Sequence, residues 1–419
     1  MRVLIVNKFL HHVGGVETYV EALSAILDGH GADVSFFGMH PPEGELLMPA
    51  IGGRAVLSPL RDFNGAPHVA ARAALHSVYS FEVERLLERH VANFRPDIVH
   101  VHSTCRQLTP AVARVLARNR IPSVLTAHEY KQVCASQRLW DDKREEICVD
   151  CVSKGLLGRY RSIVKRSCVR GSRSASLISL PEIPLADRLW NSARSVLHAP
   201  SRFMESILLD APYISGRIVY FDLPWGAEQP RAAASDCAER VLYIGRLAPE
   251  KGVDTLLRAW PMVKQLRPDA KLCIAGDGEA APLLRDLSRS LSLSGVEFVG
   301  RYDPSALADL LNRSAVTVHP SRWHENSPFT VRESLQHGVP AVVTSVGGLK
   351  EMVSESSGSA VEPDCPELMA GAIVAELERG RAGSKDLIKA VRQRRVSDDE
   401  HLRELLSAYS LAVAEVANR

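Results

Sequence analysis

The sequence predicts an α/β protein made of two doubly wound, Rossmann-like domains, and three observations predict it. Short apolar runs alternate with helical patterns along most of the chain, as buried parallel strands joined by crossover helices do. The opening run RVLIV at 2–6 is echoed by RVLYI at 240–244. The length of 419 residues exceeds what one ordinary core absorbs and suits two domains or three.

In the first half, 3–6, 34–37, 98–101, 124–126 and 196–199 read as strands, with helical runs such as 17–27 and 81–93 between them. In the second half the strands are 240–244, 272–275, 296–299, 316–319 and 341–344. The first domain is expected over 1–228, with an insert at about 131–173, and the second over 238–399. The seam falls near 228–239, where EQPRAAASDCAE has turn character and no apolar period. A last helix at about 400–419 follows. Ligands of such sheets bind at the carboxyl ends of the strands, so the loops of both domains are expected to line one interdomain cleft.

Composition excludes several classes. Hydrophobic residues at 46% and charged residues at 24% are ordinary for a globular protein. A formal net charge of +2 gives no argument for a nucleic-acid partner. MRVLIVNKF reads as a first strand rather than a signal peptide, and no apolar run approaches a membrane span, so a cytoplasmic enzyme is expected. Eight cysteines in a chain this long do not suggest a disulfide framework.

Each half has a glycine-bearing loop after its first strand. Gly14-Gly15 precedes a helix, which suits either an anion at the helix N-terminus or a tight turn. In GRLAPEKG at 245–252, Arg246 and Lys251 flank a turn at a strand's carboxyl end; two cations there suit a diphosphate, Arg as a fork and Lys as a point charge. The alternative is two solvated cations. The richest stretch is 319–353. There Ser327 reads as the N-cap and Pro328 as the first residue of a helix that Gly338 ends. The N–H groups of Ser327, Pro328's neighbours Phe329 and Thr330, and the dipole behind them suit an anion. Glu325 lies before this helix and Glu333 within it. Carboxylates beside an anion site make sense if hydroxyl-rich groups flank the phosphates, as in a sugar diphosphate nucleoside.

Together these pieces resemble glycosyltransferase family 4, the large retaining family with the GT-B fold. The matching motifs run in order over nearly the whole chain: Gly14-Gly15-Val16-Glu17, PDIVHVHS at 96–103, Thr126-Ala127-His128-Glu129, GRLAPEKG, and Glu325 and Glu333 in a Glu-x7-Glu pair followed by SVGGLKEMV at 345–353. The resemblance implies a retaining transferase that moves a sugar from a nucleoside-diphosphate sugar, with UDP the expected nucleotide, to a hydroxyl acceptor. Polysaccharide, lipid-linked glycan or glycosylated natural-product synthesis are the implied settings. It implies that Glu325 binds sugar hydroxyls, Glu333 the ribose, and Arg246 and Lys251 the diphosphate. Gly15 would offer an N–H to the phosphates and His128 would contact the sugar near the transfer centre, while the backbone at Arg301 would meet the base and Asn326 to Thr330 would line the donor. No catalytic metal is implied, and the C-terminal helix would pack back on the first domain. Asn326 and Ser334 depart from the usual small residue and alanine, and match a subset reading ENSP. The alternatives are a nucleotide-sugar-binding protein without transfer, and a GT-B epimerase, against which GRLAPEKG and ENSP speak.

Cys134, Cys148, Cys151 and Cys168 follow His128 with the spacing C-x13-C-x2-C-x16-C, which reads either as a structural zinc site ordering the insert or as free thiols. The resemblance extends to a subset of the family with a cysteine-bearing insert here. From 154 to 173 there are seven Lys or Arg and no acidic residue, and Leu156, Tyr160, Ile163, Val164 and Ser167 fall at helical spacing. Such a helix either packs one face and solvates the other or makes weak peripheral contact with an anionic membrane, here the inner face.

Overall fold

A computed structural model describes residues 1–39, 55–58, 73–74, 76–169, 171–193, 195–225, 239–380 and 382–418. The turn-rich seam at 228–238 and Arg170 of the basic stretch lie outside the described residues. The chain divides into two compact units, one formed by 1–144, 148–224 and 397–419, the other by 145–147 and 225–396.

The first unit holds a seven-stranded sheet of β1 (Arg2–Phe9), β2 (Asp33–Met39), β3 (Ala55–Ser58), β4 (Ile98–Val101), β5 (Ser123–Thr126), β6 (Val196–Ala199) and β7 (Ile218–Tyr220). Its order is β3-β2-β1-β4-β5-β6-β7, with adjacent strands parallel. Val3, Leu4, Ile5 and Val6 are wholly buried, as expected of a central strand covered by helices on both faces. The chain order reverses between β1 and β4, the switch point at which such sheets bind ligands.

The second unit holds β8 (Arg240–Ile244), β9 (Lys271–Ala275), β10 (Val296–Gly300), β11 (Val316–His319), β12 (Ala341–Thr344) and β13 (Gly358–Val361), in the order β10-β9-β8-β11-β12-β13 and again parallel. It is the same winding, with its switch point between β8 and β11. The core is centred on Trp260, which is fully buried and donates from its indole N–H to the carbonyl of Ser294 at 2.9 Å. Both units are therefore doubly wound and Rossmann-like, as the sequence predicts.

The last helix, Asp398–Ala417, belongs to the first unit. It starts on a capping box: Ser397 Oγ accepts from the Glu400 N–H at 3.2 Å and the Glu400 carboxylate accepts from the Ser397 N–H at 2.9 Å. His401, Leu405, Ala408, Tyr409 and Ala412 form its buried face. Among the described residues no helix is long and apolar enough to cross a membrane.

Candidate functional site

In the second unit three distant motifs meet on one loop. Glu325, in the connection between β11 and the helix Phe329–Gln336, accepts from Ser321 Oγ at 2.9 Å and is ion-paired to Lys251 Nζ. Its backbone carbonyl accepts from the Gly348 N–H at 2.7 Å, and the carbonyl of Glu250 accepts from the Arg322 N–H at 2.9 Å. Two glycines make this approach feasible. Gly252 has φ +64°, and a Cβ there would lie 2.1 Å from the Pro320 carbonyl; Gly347 has φ +56°, and a Cβ would lie 2.4 Å from the Glu325 carbonyl. GRLAPEKG, the 320–325 loop and SVGG are thus packed backbone to backbone around the Lys251–Glu325 pair.

The electrostatics of the pair are set by competition. Burial pushes the Glu325 carboxyl up, but the Lys251 ammonium and the donating hydroxyl of Ser321 outweigh it and hold it below the usual range. Lys251 also lies 5.3 Å from the centre of the Trp323 ring. Arg246 is half-exposed and bonded to two carboxylates, Glu250 at 2.6 Å and Glu279 at 3.1 Å. Neither cation is the solvated charge that the sequence left as an alternative: each is held in a defined place by acidic partners, with which an incoming anion would have to exchange.

Glu333 is different. It lies on the helix Phe329–Gln336, and among the described residues nothing donates to its carboxylate; burial alone pushes its pKa up to about 7. The Tyr302 hydroxyl lies near enough to be raised by it, after burial.

The start of this helix corrects one expectation. Its N-cap is Pro328, in extended conformation and without a side-chain cap, and Phe329 is the first helical residue. Ser327 does not cap because its hydroxyl accepts instead from the guanidinium of Arg332 at 2.5 Å, and Arg332 is buried against the Trp225 ring. The free N–H groups therefore begin one residue later, with Thr330 among them and its hydroxyl 3.5 Å from His319 Nδ1. Asn326 is buried before the helix. Ser334 turns its hydroxyl back to the Thr330 carbonyl at 2.7 Å, which accounts for a hydroxyl where alanine is usual. Gly338, φ +66°, follows the helix end as expected. Arg301 is exposed just past the carboxyl end of β10.

In the first unit, Gly14 is the N-cap and Gly15 the first residue of the helix Gly15–Gly29. Glu17 reaches back to accept from the Gly14 N–H at 3.0 Å and is buried against Asn7, which donates to it at 3.0 Å. Gly14 has φ −174°, open to any residue, and a Cβ there would meet nothing within 4 Å. The turn does not itself require glycine. His128 follows β5, and its Nε2 is 3.1 Å from His102 Nδ1; burial pushes its pKa down to about 3. His102 belongs to the PDIVHVHS motif, but its role was not legible: only the fold brings strands β4 and β5 side by side.

The structure gives the zinc expectation no support. Among the described residues no group of three or more His, Cys, Asp or Glu is placed to hold a metal ion, and Cys134, Cys148, Cys151 and Cys168 are free thiols. Cys134 Sγ lies 3.1 Å from Ser136 Oγ and Cys168 Sγ faces the Ser162 carbonyl. Burial, then the neighbouring thiols, push Cys151 and Cys168 up to about 12. The insert is tied by ion pairs. Buried Asp141 accepts from Arg144 at 2.7 Å and Arg166 at 2.9 Å, and Arg166 also reaches Asp150 at 2.8 Å. Arg159, on the helix Leu156–Arg166, is buried against Asp187 at 2.5 Å and stacks on Tyr213. These pairs draw two cations of the basic helix inward, as in a helix packed by one face.

Known proteins agree with this architecture. Residues 14–221 match the family described as glycosyl transferase 4-like domain, and 228–394 match glycosyl transferases group 1. The chain belongs to the family 4-like glycosyltransferases. Among the relatives of this chain, glycogen synthase of Mycobacterium tuberculosis is 32% identical over 42% of this chain and 41% of its own length. A GDP-mannose-dependent monoacylated α-(1-6)-phosphatidylinositol monomannoside mannosyltransferase of Corynebacterium glutamicum is 30% identical over 32% of this chain and 37% of its own. The chain thus spans about two fifths of the length of these curated relatives. Anabaena HepE, solved with UDP and glucose, shares the GT-B fold with a TM-score of 0.64 over 97% of this chain and 100% of its own, at 16% identity.

Proposed function

We propose that this glycosyltransferase moves a sugar from a nucleoside-diphosphate sugar to a hydroxyl acceptor with retention of configuration, and that the second unit holds the donor. The observation that carries this reading is the Lys251–Glu325 pair on its loop of three motifs, with desolvated Glu333 one helix further on. A buried carboxylate held ionised by a lysine is suited to accept from sugar hydroxyls. Its lysine, with Arg246, can meet the negative charge that grows on the diphosphate as the bond to the sugar breaks, which is where preorganised cations accelerate a reaction. Glu333, lacking a protein donor, is suited to accept from two ribose hydroxyls. The N–H groups of Phe329 and Thr330, and that of Gly15 in the first unit, are assigned to the phosphates, and the backbone at Arg301 to the base. That Gly14 is not needed by its own turn supports close approach of a ligand there. His128 is assigned to the sugar.

UDP is the proposed nucleotide, supported by HepE, whose structure holds UDP and glucose. A GDP-sugar is the second reading, favoured by the GDP-mannose-dependent relative. Release of nucleoside diphosphate from UDP-, GDP-, ADP- and dTDP-sugars, with and without added acceptors, tests the proposal. Turnover of one donor that falls on Lys251→Ala would support it. Binding without release would leave a nucleotide-sugar-binding protein, and conversion of the sugar while still bound to its nucleotide would mean an epimerase.

A further inference from the structure

The first unit contains a chain of buried imidazoles whose tautomers can be assigned from fixed acceptors. The Phe221 carbonyl, 2.8 Å from His198 Nε2, can only accept, so His198 is protonated at Nε2 and bare at Nδ1. Bare Nδ1, 3.0 Å from Thr126 Oγ1, takes the Thr126 proton. With its one proton committed, Thr126 must accept from His100 Nε2 at 2.7 Å. His100 Nδ1 is then bare and accepts from the Tyr409 hydroxyl at 3.0 Å. In the same way the Asp222 carbonyl, 2.9 Å from His401 Nδ1, leaves His401 Nε2 to accept from the Tyr19 hydroxyl at 3.0 Å. Burial keeps His198 and His100 neutral and the bonds orient them; Tyr409 of the last helix terminates their chain, and His401 of the same helix holds Tyr19 beside it.

One pair stands beside the chain. His102 stacks on His100 with ring centres 4.4 Å apart, and Tyr19 meets both His102 and His128 with its ring, at 5.5 and 5.4 Å. His102 Nδ1 faces His128 Nε2 at 3.1 Å, while His102 Nε2 is buried without a partner. One of the facing nitrogens holds the proton. If His128 donated, His102 would carry its own proton on the buried, unpartnered Nε2, and a buried orphan N–H is the rarer and costlier defect. If His102 donates, the unpartnered atom is a bare nitrogen.

We propose that His102 is a positioning residue: it donates from Nδ1 to His128 Nε2 and fixes His128 as the tautomer whose Nδ1–H is offered to an oxygen of the transferred sugar. The role in transfer rests on the function proposed above; the tautomer does not. Burial lowers the pKa of both rings, so the pair stays neutral and the assignment holds near neutral pH. His128 is the member with surface to offer, being only partly buried where His102 is buried.

The test uses the full chain with ¹⁵N-labelled histidine. Long-range proton–nitrogen spectra of the unliganded protein are expected to show His128 protonated at Nδ1 and bare at Nε2, assigned by loss of the signals in His128→Gln. A His128 protonated at Nε2 overturns the proposal. His102→Phe removes the donor and is expected to lower kcat about tenfold or more with little change in nucleoside-diphosphate affinity, since a misoriented hydrogen bond at the sugar is felt in transfer. His102→Asn, whose amide N–H stands near the place of Nδ1–H, is expected to recover most of that loss. Equal kcat in wild type and a folded His102→Phe overturns the positioning role. A wild type inactive with every donor would refute the transferase reading, while the spectrum would still decide the tautomer.

Discussion

The two sheets share one winding, yet the polar groups past their central strands are opposite in kind. In the second unit the loops after β8 and β11 carry full charges in pairs, Lys251 with Glu325 and Arg246 with Glu250 and Glu279. In the first unit the ends of β4, β5 and β6 carry His100, His102, His128 and His198, all driven neutral by burial. One winding thus carries two kinds of polar site. Paired charges can exchange partners when an anion arrives, so they suit a diphosphate. Neutral imidazoles cannot answer a charge without protonation; they hold fixed donors and acceptors, which suits reading hydroxyls.

The contrast can be broken most severely at Lys251. Lys251→Ala removes the cation and leaves Glu325 buried without its counter-charge; kcat/KM is expected to fall by about 10²–10³, measured as nucleotide release. A loss under about threefold would mean that the second unit's charges do not serve the reaction.

The neutral side is tested by pH. His100, His102 and His198 are neutral when folded and titrate near 6.5 when unfolded, so below about pH 6.5 the unfolded chain binds more protons. Stability is therefore full above that value and lost as pH falls through it, at up to about 4 kcal/mol per pH unit if all three stay neutral. Denaturant melts of the chain at pH 7.5 and 5.5 check this, and equal stability at the two would contradict a neutral cluster. In the second unit Glu333, with a pKa pushed up to about 7, must ionise to accept from ribose hydroxyls. Donor affinity is expected to rise by about tenfold from pH 6 to 8, and Glu333→Gln should flatten the profile.

Smaller effects sharpen the picture. Gly14→Ala should change stability by no more than about 1 kcal/mol, because its φ and surroundings admit a Cβ, while weakening donor turnover if phosphate approaches there. Ser397→Ala should cost about 1 kcal/mol through the lost cap of the last helix, read from thermal melts.

Much of this was legible in the sequence, and the misses have physical causes. Central strands such as Arg2–Phe9, built on the apolar run Val3–Val6, are read directly. Ala55–Ser58, Ile218–Tyr220 and Gly358–Val361 were missed because edge strands are short and only partly buried, so little apolar signal marks them. The motifs located Glu325 and Lys251, because glycine-rich loops announce themselves. They could not show that Arg246 is held by Glu250 and Glu279, nor that Arg332 takes the Ser327 hydroxyl from the helix end, since side-chain competition is settled only in three dimensions. The cysteine spacing offered a metal or free thiols and could not choose, since spacing does not fix which way four thiols point; nor did it show that Asp141 with Arg144 and Arg166 ties the insert. The imidazole chain joins residues up to 309 positions apart and had no local signature.

The central claim is that the 320–333 segment of the second unit, keyed by Lys251, holds a nucleotide sugar. Calorimetric titration of wild type and Glu333→Gln with UDP and GDP tests it most directly. One nucleotide is expected to bind wild type, and to bind Glu333→Gln about tenfold or more weakly at pH 8. Equal affinity in the two proteins, or no binding of either nucleotide to wild type, would contradict it.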